Sequence, residues 1–319
     1  MHPIFPKHTL SMNAKAKGYI LGGIAAATYG MNPLFALPLY SDGMTPDSVL
    51  FFRYLFAIPI LGIMLKARGR SFRMHRKEVV PLITYGFMVA FSSLSLFLSY
   101  NYMGAGIAST LLFVYPIMVA VIMAAFLHER ISLPTILCII VALAGIALLY
   151  KNEDGSTLNL TGTILVFASA LSYAIYLVGV NQASIKNEPT LKVTFYVLLF
   201  GVTLFVGRLL WEGHIEMPSR WYLWGCLIAL AVFPTAISFL CTTSAIQYIG
   251  STPTAILGAL EPVTAIVFGV AIFGEVLTIR QCIGLALIIT AVSLVVAGGS
   301  VSLHLTRFRR MFPRLLHKR

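Results

Sequence analysis

Apolar residues along this chain come in runs of about 20, separated by short polar clusters, instead of the one-sided periodicity of a water-facing helix. The runs predict ten membrane helices. Five lie at roughly 18–40, 47–66, 79–99, 103–127 and 133–150, and five more at roughly 160–183, 190–211, 221–246, 251–273 and 279–299. Polar landmarks within this pattern recur at one offset: Tyr102, Gly104, Pro116 and Glu129 return 146 residues later as Tyr248, Gly250, Pro262 and Glu275. A gapless offset across two apolar segments marks two copies of one unit, 18–150 and 160–299. Because five is odd, the second copy enters the bilayer from the opposite side. The expected fold is an all-α integral membrane protein of ten transmembrane helices, arranged as two inverted five-helix repeats, with a basic cytoplasmic tail at 300–319.

Composition supports a bilayer setting. Hydrophobic residues make up 58% and charged residues 11%, with a mean hydropathy of +0.88, whereas a soluble domain carries about 25% charged residues. A net charge of +12 would suit nucleic acid, but the cations sit in loops and tail between the spans. With both termini inside, eighteen positives fall on the inner side, against Lys151, Arg208, Arg220 and Arg280 outside. That bias predicts two cytoplasmic termini. In the tail, Arg307 to Arg319 alternates with Leu305, Phe308, Met311 and Leu315, as an interfacial segment on anionic lipid does. No nucleic-acid partner is expected. Cys138, Cys226, Cys241 and Cys282 lie in apolar runs without metal-ligand spacing. No signal-peptide cleavage pattern precedes the first span, which is expected to be retained.

Residues 115–132 (YPIMVAVIMAAFLHERIS) and 261–278 (EPVTAIVFGVAIFGEVLT) resemble the repeated proline-to-glutamate stretch of the EamA family of the drug/metabolite transporter superfamily. Tyr29, Gly30 and Asn32 are similar to the family's aromatic-Gly-x-Asn signature, and Arg53 with Tyr54 to its basic-aromatic start of helix two. Tyr29 replaces the commoner tryptophan, and Pro33 follows the asparagine. The likeness spans about 18–298. It implies an inner-membrane, ten-helix carrier of small metabolites, often an exporter of amino acids, with no cofactor. The solute is not identified by it.

Alternating-access carriers hold solute at a midplane site where helices are interrupted. Pro33, Pro38, Pro59, Pro116, Pro234 and Pro262 each remove a helical donor. The repeat-equivalent Pro116 and Pro262 are the candidate hinges, with simple packing kinks the alternative. Two charges fall inside spans, Arg53 and Glu261. Aligning Pro46 with Pro189 sets Tyr196 opposite Arg53, and the 146-residue offset sets Tyr115 opposite Glu261. One reading has the two charges facing a shared cavity, binding the carboxylate and amino ends of a zwitterion or pairing with each other when it is empty. In the other, Arg53 snorkels to the outer interface and Glu261 caps freed backbone near Pro262. Proton coupling, where it exists, would run through Glu261. Tyr29, Asn32, Tyr85, Tyr100, Tyr115, Tyr173, Tyr176, Asn181 and Tyr196 complete the candidate lining, although helical aromatics also serve as packing residues. Glu129 and Glu275 close helices four and nine, as gating partners of Arg130 and Arg280 or as terminal anchors.

An enzyme is disfavoured because the seven histidines fall in tails, loops and helix edges without a triad or metal spacing. A channel would show a charged ring or filter loop. A nucleotide-sugar-like exchanger needs several cations in its cavity, and only Arg53 is available. An amino acid or similar zwitterion is therefore expected, with a hydrophobic drug the alternative and a monomer or homodimer as the assembly.

Overall fold

The computed structural model describes residues 12–103, 105–127, 133–150, 159–182, 185, 188–273 and parts of 279–291. The first half contains α1 (Met12–Tyr29), α2 (Asn32–Ser41), α3 (Pro46–Ala67), α4 (Arg76–Ser99), α5 (Ala105–Leu112), α6 (Tyr115–Leu127) and α7 (Leu133–Tyr150). The second contains α8 (Leu160–Gln182), α9 (Thr190–Glu212), α10 (Trp221–Ala231), a π-helical turn (Val232–Ile237), α11 (Ser238–Ile249), α12 (Ser251–Leu257) and α13 (Leu260–Phe273). Six stretches are long and apolar enough to cross a membrane: 14–41, 46–67, 76–99, 160–180, 190–212 and 221–249. Shorter apolar helices cover Tyr115–Phe126, Ile136–Gly145 and Cys282–Ala291. Most of the expected tenth span, the tail, and both Glu129 and Glu275 lie outside the described residues.

Three expected spans are not continuous. The first breaks at Gly30 and Met31, the fourth at Phe113 and Val114, and the ninth at Gly258 and Ala259. Proline accounts for each restart. Its missing N–H is tolerated in a first turn but not in a helix interior, and Pro33, Pro116 and Pro262 each stand in the opening turn of α2, α6 and α13. Tight i→i+3 bonds bridge two of the gaps, from Ile117 N to Val114 O at 3.0 Å and from Glu261 N to Gly258 O at 2.8 Å. Pro38 and Pro59 are carried within unbroken helices. Elsewhere the ends follow local rules: Thr45 caps α3 ahead of Pro46 and Asp47, and Gly213, at φ 77°, closes α9 with its N–H on Leu209 O.

Helices from the two halves pack across each other, α4 against α8 and α9, α3 against α9, and α1 against α11. In lipid this association rests on close approach and interhelical hydrogen bonds, since the surroundings are as apolar as the side chains. Both devices occur in matched pairs. A Cβ on Gly18 would come within 2.6 Å of Ile249 and 2.8 Å of Tyr248, and one on Gly162 within 2.7 Å of Met103 and 3.0 Å of Tyr102. Ser169 Oγ donates to Ser92 O at 2.7 Å, and Ser238 Oγ donates to Ala25 O at 2.9 Å. Each pair exchanges halves: Gly18 and Ala25 stand 144 residues before Gly162 and Ser169, while Tyr102, Met103 and Ser92 stand 146 before Tyr248, Ile249 and Ser238. Large apolar side chains such as Ile63, Val80, Phe126, Leu210 and Trp211 point outward, as a lipid-facing surface requires.

Candidate functional site

The interruptions meet in the middle of the bundle. Gly30, at the first break, lies against the backbone of Glu261 on α13, and Gly258, at the third, lies against the Tyr115 side chain on α6. On the seam between them, Tyr29 stacks on Tyr173 with centroids 6.1 Å apart, and Tyr173 meets Tyr115 edge-on at 5.0 Å. Tyr115 Oη donates to Glu261 Oε1 at 3.3 Å. At the other end, the Arg53 guanidinium lies 5.9 Å from the Tyr29 ring and 5.4 Å from that of Phe97, within cation–π range. Three tyrosines thus bridge a buried cation and a buried carboxylate.

Arg53 is wholly buried, so the snorkelling reading is overturned. Its partners lie on the π-turn: Nε donates to Thr235 Oγ1 at 2.5 Å and Nη2 to Pro234 O at 3.1 Å. The turn has a local cause. Pro234 cannot supply the N–H that would reach Leu230 O, and the Thr235 hydroxyl donates to that carbonyl at 2.7 Å instead. The expected direct pairing of Arg53 with Glu261 is also corrected, because among the described residues each binds elsewhere. Among the described residues the Glu261 carboxylate caps no backbone group, and its partner is Tyr115.

Other expected lining residues divide. Tyr176 stacks on Tyr173 at 6.0 Å and its hydroxyl lies 3.2 Å from Thr243 Oγ1, extending the aromatic row. Tyr100 forms a layer behind Arg53, tilted on Phe97 at 5.4 Å with its hydroxyl 3.4 Å from Ser109 Oγ. Asn32 is buried at the start of α2, and among the described residues neither the nitrogen nor the oxygen of its amide finds a hydrogen-bond partner. Two residues are not brought to the centre. Tyr196 donates to Phe72 O, in the segment that follows the C-terminal end of α3, whereas Arg53 sits in the first half of that helix. Tyr85 is half-buried against Gly179 on α8. Asn181 lies in α8, and its side chain is outside the described set.

The cleft among Tyr115, Tyr173, Thr242, Thr254, Gly258 and Glu261 has a volume of about 10 Å³, room for roughly one water. Anything larger than a water fits only after the rings part. Two clusters of ion pairs, which the sequence reading did not single out, close the bundle's ends. At one end Lys192 Nζ lies 2.7 Å from Glu78 and 2.9 Å from Glu188. At the other, Arg208 grips Asp47 through Nε at 2.5 Å and Nη2 at 3.0 Å and reaches Glu212 at 3.3 Å. Nearby, Glu216 accepts from Thr45 N, and Asp42 accepts from Ser219. Acids in the first turns of α3 and α4 were the available signal, but their partners lie 161 and 114 residues away.

The chain matches the EamA-like transporter family twice, over residues 16–151 and 160–297. An uncharacterized transporter of Archaeoglobus fulgidus is 30% identical over 77% of this chain and 84% of its own length. The threonine/homoserine exporter RhtA of Salmonella typhimurium is 26% identical over 69% of this chain and 72% of its own. One solved crystal structure shares the fold, with a TM-score of 0.70 at 20% identity, covering 88% of this chain and 96% of its own. The paired family matches, the apolar helices and these relatives lead to one conclusion: the chain belongs to the EamA-like transporter family.

Proposed function

We propose that this chain is an inner-membrane secondary carrier that exports small metabolites such as amino acids by alternating access between two inverted five-helix repeats, with both termini cytoplasmic. The observation that carries this reading is the Arg53–Tyr29–Tyr173–Tyr115–Glu261 row, with opposite charges at its two ends. A zwitterion offers the complementary dipole: its carboxylate meets a guanidinium fork and its ammonium meets Glu261 and the tyrosine faces. The matched Gly18/Gly162 and Ser92/Ser238 contacts support an inverted seam running through that row. The name of the RhtA relative favours a hydroxylated amino acid among solutes. A cleft near 10 Å³ with ion pairs at both ends fits an occluded state, opened by pivoting at Pro116 and Pro262, with Glu129 and Glu275 as further gating groups.

Glu261 is also the group through which proton coupling would run, as the buried carboxylate on the row. Hydrophobic-compound efflux is the second reading, favoured by the aromatic share of the lining. A nucleotide-sugar-like exchange is less suited, because Arg53 is the one cation on this row. Proteoliposomes loaded with an amino-acid panel test the proposal. Saturable counterflow of an amino acid, lowered at least about tenfold but still measurable in Arg53→Gln and Glu261→Gln at equal reconstitution, is expected. Wild-type rates in both variants would discard it.

A further inference from the structure

The Arg53 guanidinium is satisfied on one side only. Its side-on edge, Nε with Nη2, is filled by Thr235 Oγ1 and Pro234 O. Among the described residues Nη1 finds no hydrogen-bond partner, and it is closed off from solvent. A guanidinium presents five N–H donors in a planar fork, so fixing one edge also fixes the direction of the other. The free end-on edge, Nη1 with the remaining Nη2 hydrogen, has the parallel geometry that receives a carboxylate bidentately. A buried donor left unmade is costly, and a buried cation without a counter-charge more so. A second orphan stands close in sequence to the same row: both amide atoms of Asn32, three residues beyond Tyr29, are buried without partners.

Thr235 is not free to choose its role. Its hydroxyl proton is committed to Leu230 O, the carbonyl that Pro234 leaves without a donor. Towards Arg53 it can therefore only accept. The π-turn and the arginine lock each other: the turn releases the Pro234 carbonyl towards Nη2, and the hydroxyl it orients receives Nε. We propose that Thr235, together with the Pro234 carbonyl, is a positioning residue that holds the side-on edge of Arg53 so that its end-on edge faces the carboxylate of the transported solute. This rests on the reading of the chain as a carrier of amino acids, and it adds a specificity rule. Solutes must carry a free carboxylate, and their amides, methyl esters and decarboxylated amines are rejected.

Three measurements on full-length protein test it. The first follows counterflow of L-threonine and competition by its methyl ester for wild type, Thr235→Val and Thr235→Ser. Thr235→Val, which keeps shape and removes the acceptor, is expected to raise KM about tenfold with kcat within about twofold, and Thr235→Ser to restore it; the ester should not compete. The second places Thr235→Val in an Arg53→Gln background, where no further rise in KM is expected because the threonine acts through the arginine. An added rise there, or a fall in kcat alone, would overturn the proposal. The third needs no solute: the ¹⁵N resonance of Arg53 Nε in nanodiscs should move in Thr235→Val and return in Thr235→Ser. An unmoved resonance overturns the positioning role even if transport is seen. A moved resonance with no counterflow of any amino acid in the wild type overturns the carrier reading and its carboxylate rule, while the Thr235–Arg53 linkage stands.

Discussion

Tyr115 and Glu261 are equivalent positions of the two copies, 146 residues apart, and they touch, with Oη 3.3 Å from Oε1. Residues related by a twofold can meet only where the axis passes. In the proposed inverted arrangement the contact lies on the seam between the copies and breaks its symmetry, since one copy supplies a hydroxyl and the other a carboxylate. Tyr29 and Tyr173, 144 residues apart and stacked at 6.1 Å, are the second such pair. On that proposal a symmetric scaffold encloses a polar row with a direction built into it, from Arg53 to Glu261.

Glu261→Gln tests what the carboxylate adds beyond the bond. Glutamine keeps an acceptor for Tyr115 and nearly the same volume, so folding should be little affected, within about 1 kcal/mol. Amino-acid counterflow is expected to fall at least about tenfold, and any dependence on a pH gradient to vanish with it. Tyr115→Phe should lower transport less, because the charge remains. Equal loss in both variants would show that the hydrogen bond, and not the charge, is what the site needs.

Gly258→Ala should disturb the same contact from behind. A Cβ there would fall on the Tyr115 hydroxyl, 2.7 Å from its Cζ and 2.9 Å from Ala255 O. Neither a ring packed edge-on against Tyr173 and Phe113 nor a helix carbonyl yields easily, so the overpacking should cost about 1–3 kcal/mol. Thermal unfolding in detergent is expected to show the loss, and the double variant with Tyr115→Phe to recover part of it. A melting temperature unchanged by Gly258→Ala would mean that the ring already moves freely.

Asp42, in the loop joining α2 and α3, offers a pH test outside the membrane. The Ser219 hydroxyl and then its backbone N–H, the latter at 2.7 Å, hold the carboxyl below its ordinary range. A lowered folded pKa means that the clasp contributes fully above the unfolded value, about 3.9, and is lost as pH falls through the lower folded one. The melting-temperature difference between wild type and Asp42→Ala should therefore be constant from about pH 8 to pH 5 and shrink below about pH 4. A difference that shrinks near neutrality would contradict the clasp.

Much of this site was legible in the sequence because lipid makes polar residues conspicuous. Arg53 and Glu261 stand out in apolar runs, and the 146-residue offset pairs Tyr115 with Glu261 before any coordinates are known. The partner of Arg53 was not legible, since it depends on a π-turn that arises only when Pro234 strands a carbonyl and a neighbouring hydroxyl recovers it. The separation of Tyr196 from Arg53 follows from the proposed inversion, in which equivalent residues lie at opposite depths unless they are near the axis. The breaks ahead of Pro116 and Pro262 could be anticipated from the prolines, but their residues, Phe113–Val114 and Gly258–Ala259, are apolar or small and carry no signal of their own.

The ion pairs at the two ends of α9 should differ in strength. Lys192 and Glu78 have side chains only 6% and 4% exposed, so removing one partner leaves a buried charge uncompensated, at a cost of about 3 kcal/mol. Arg208 is 40% exposed and Asp47 only 4%, so water screens the arginine's side of this pair, and Asp47, in the first turn of α3, keeps the stabilisation of the helix N-terminus when the arginine is removed. Lys192→Met should therefore lower the melting temperature clearly, and Arg208→Met less, with the Lys192→Met/Glu78→Leu double variant recovering most of the loss because the one carboxylate left without the lysine, Glu188, is 26% exposed. If both pairs also act as gates, weakening either should bias the bundle towards opening at that end. Thiol labelling of single cysteines placed at Thr242 and Thr254, in a background lacking the native cysteines, would read the bias from each side of the membrane. Arg208→Met is expected to raise labelling from the side of the 42–48 loop, and Lys192→Met from the other. Labelling that rises equally from both sides in both variants would mark the pairs as structural rivets and not as gates.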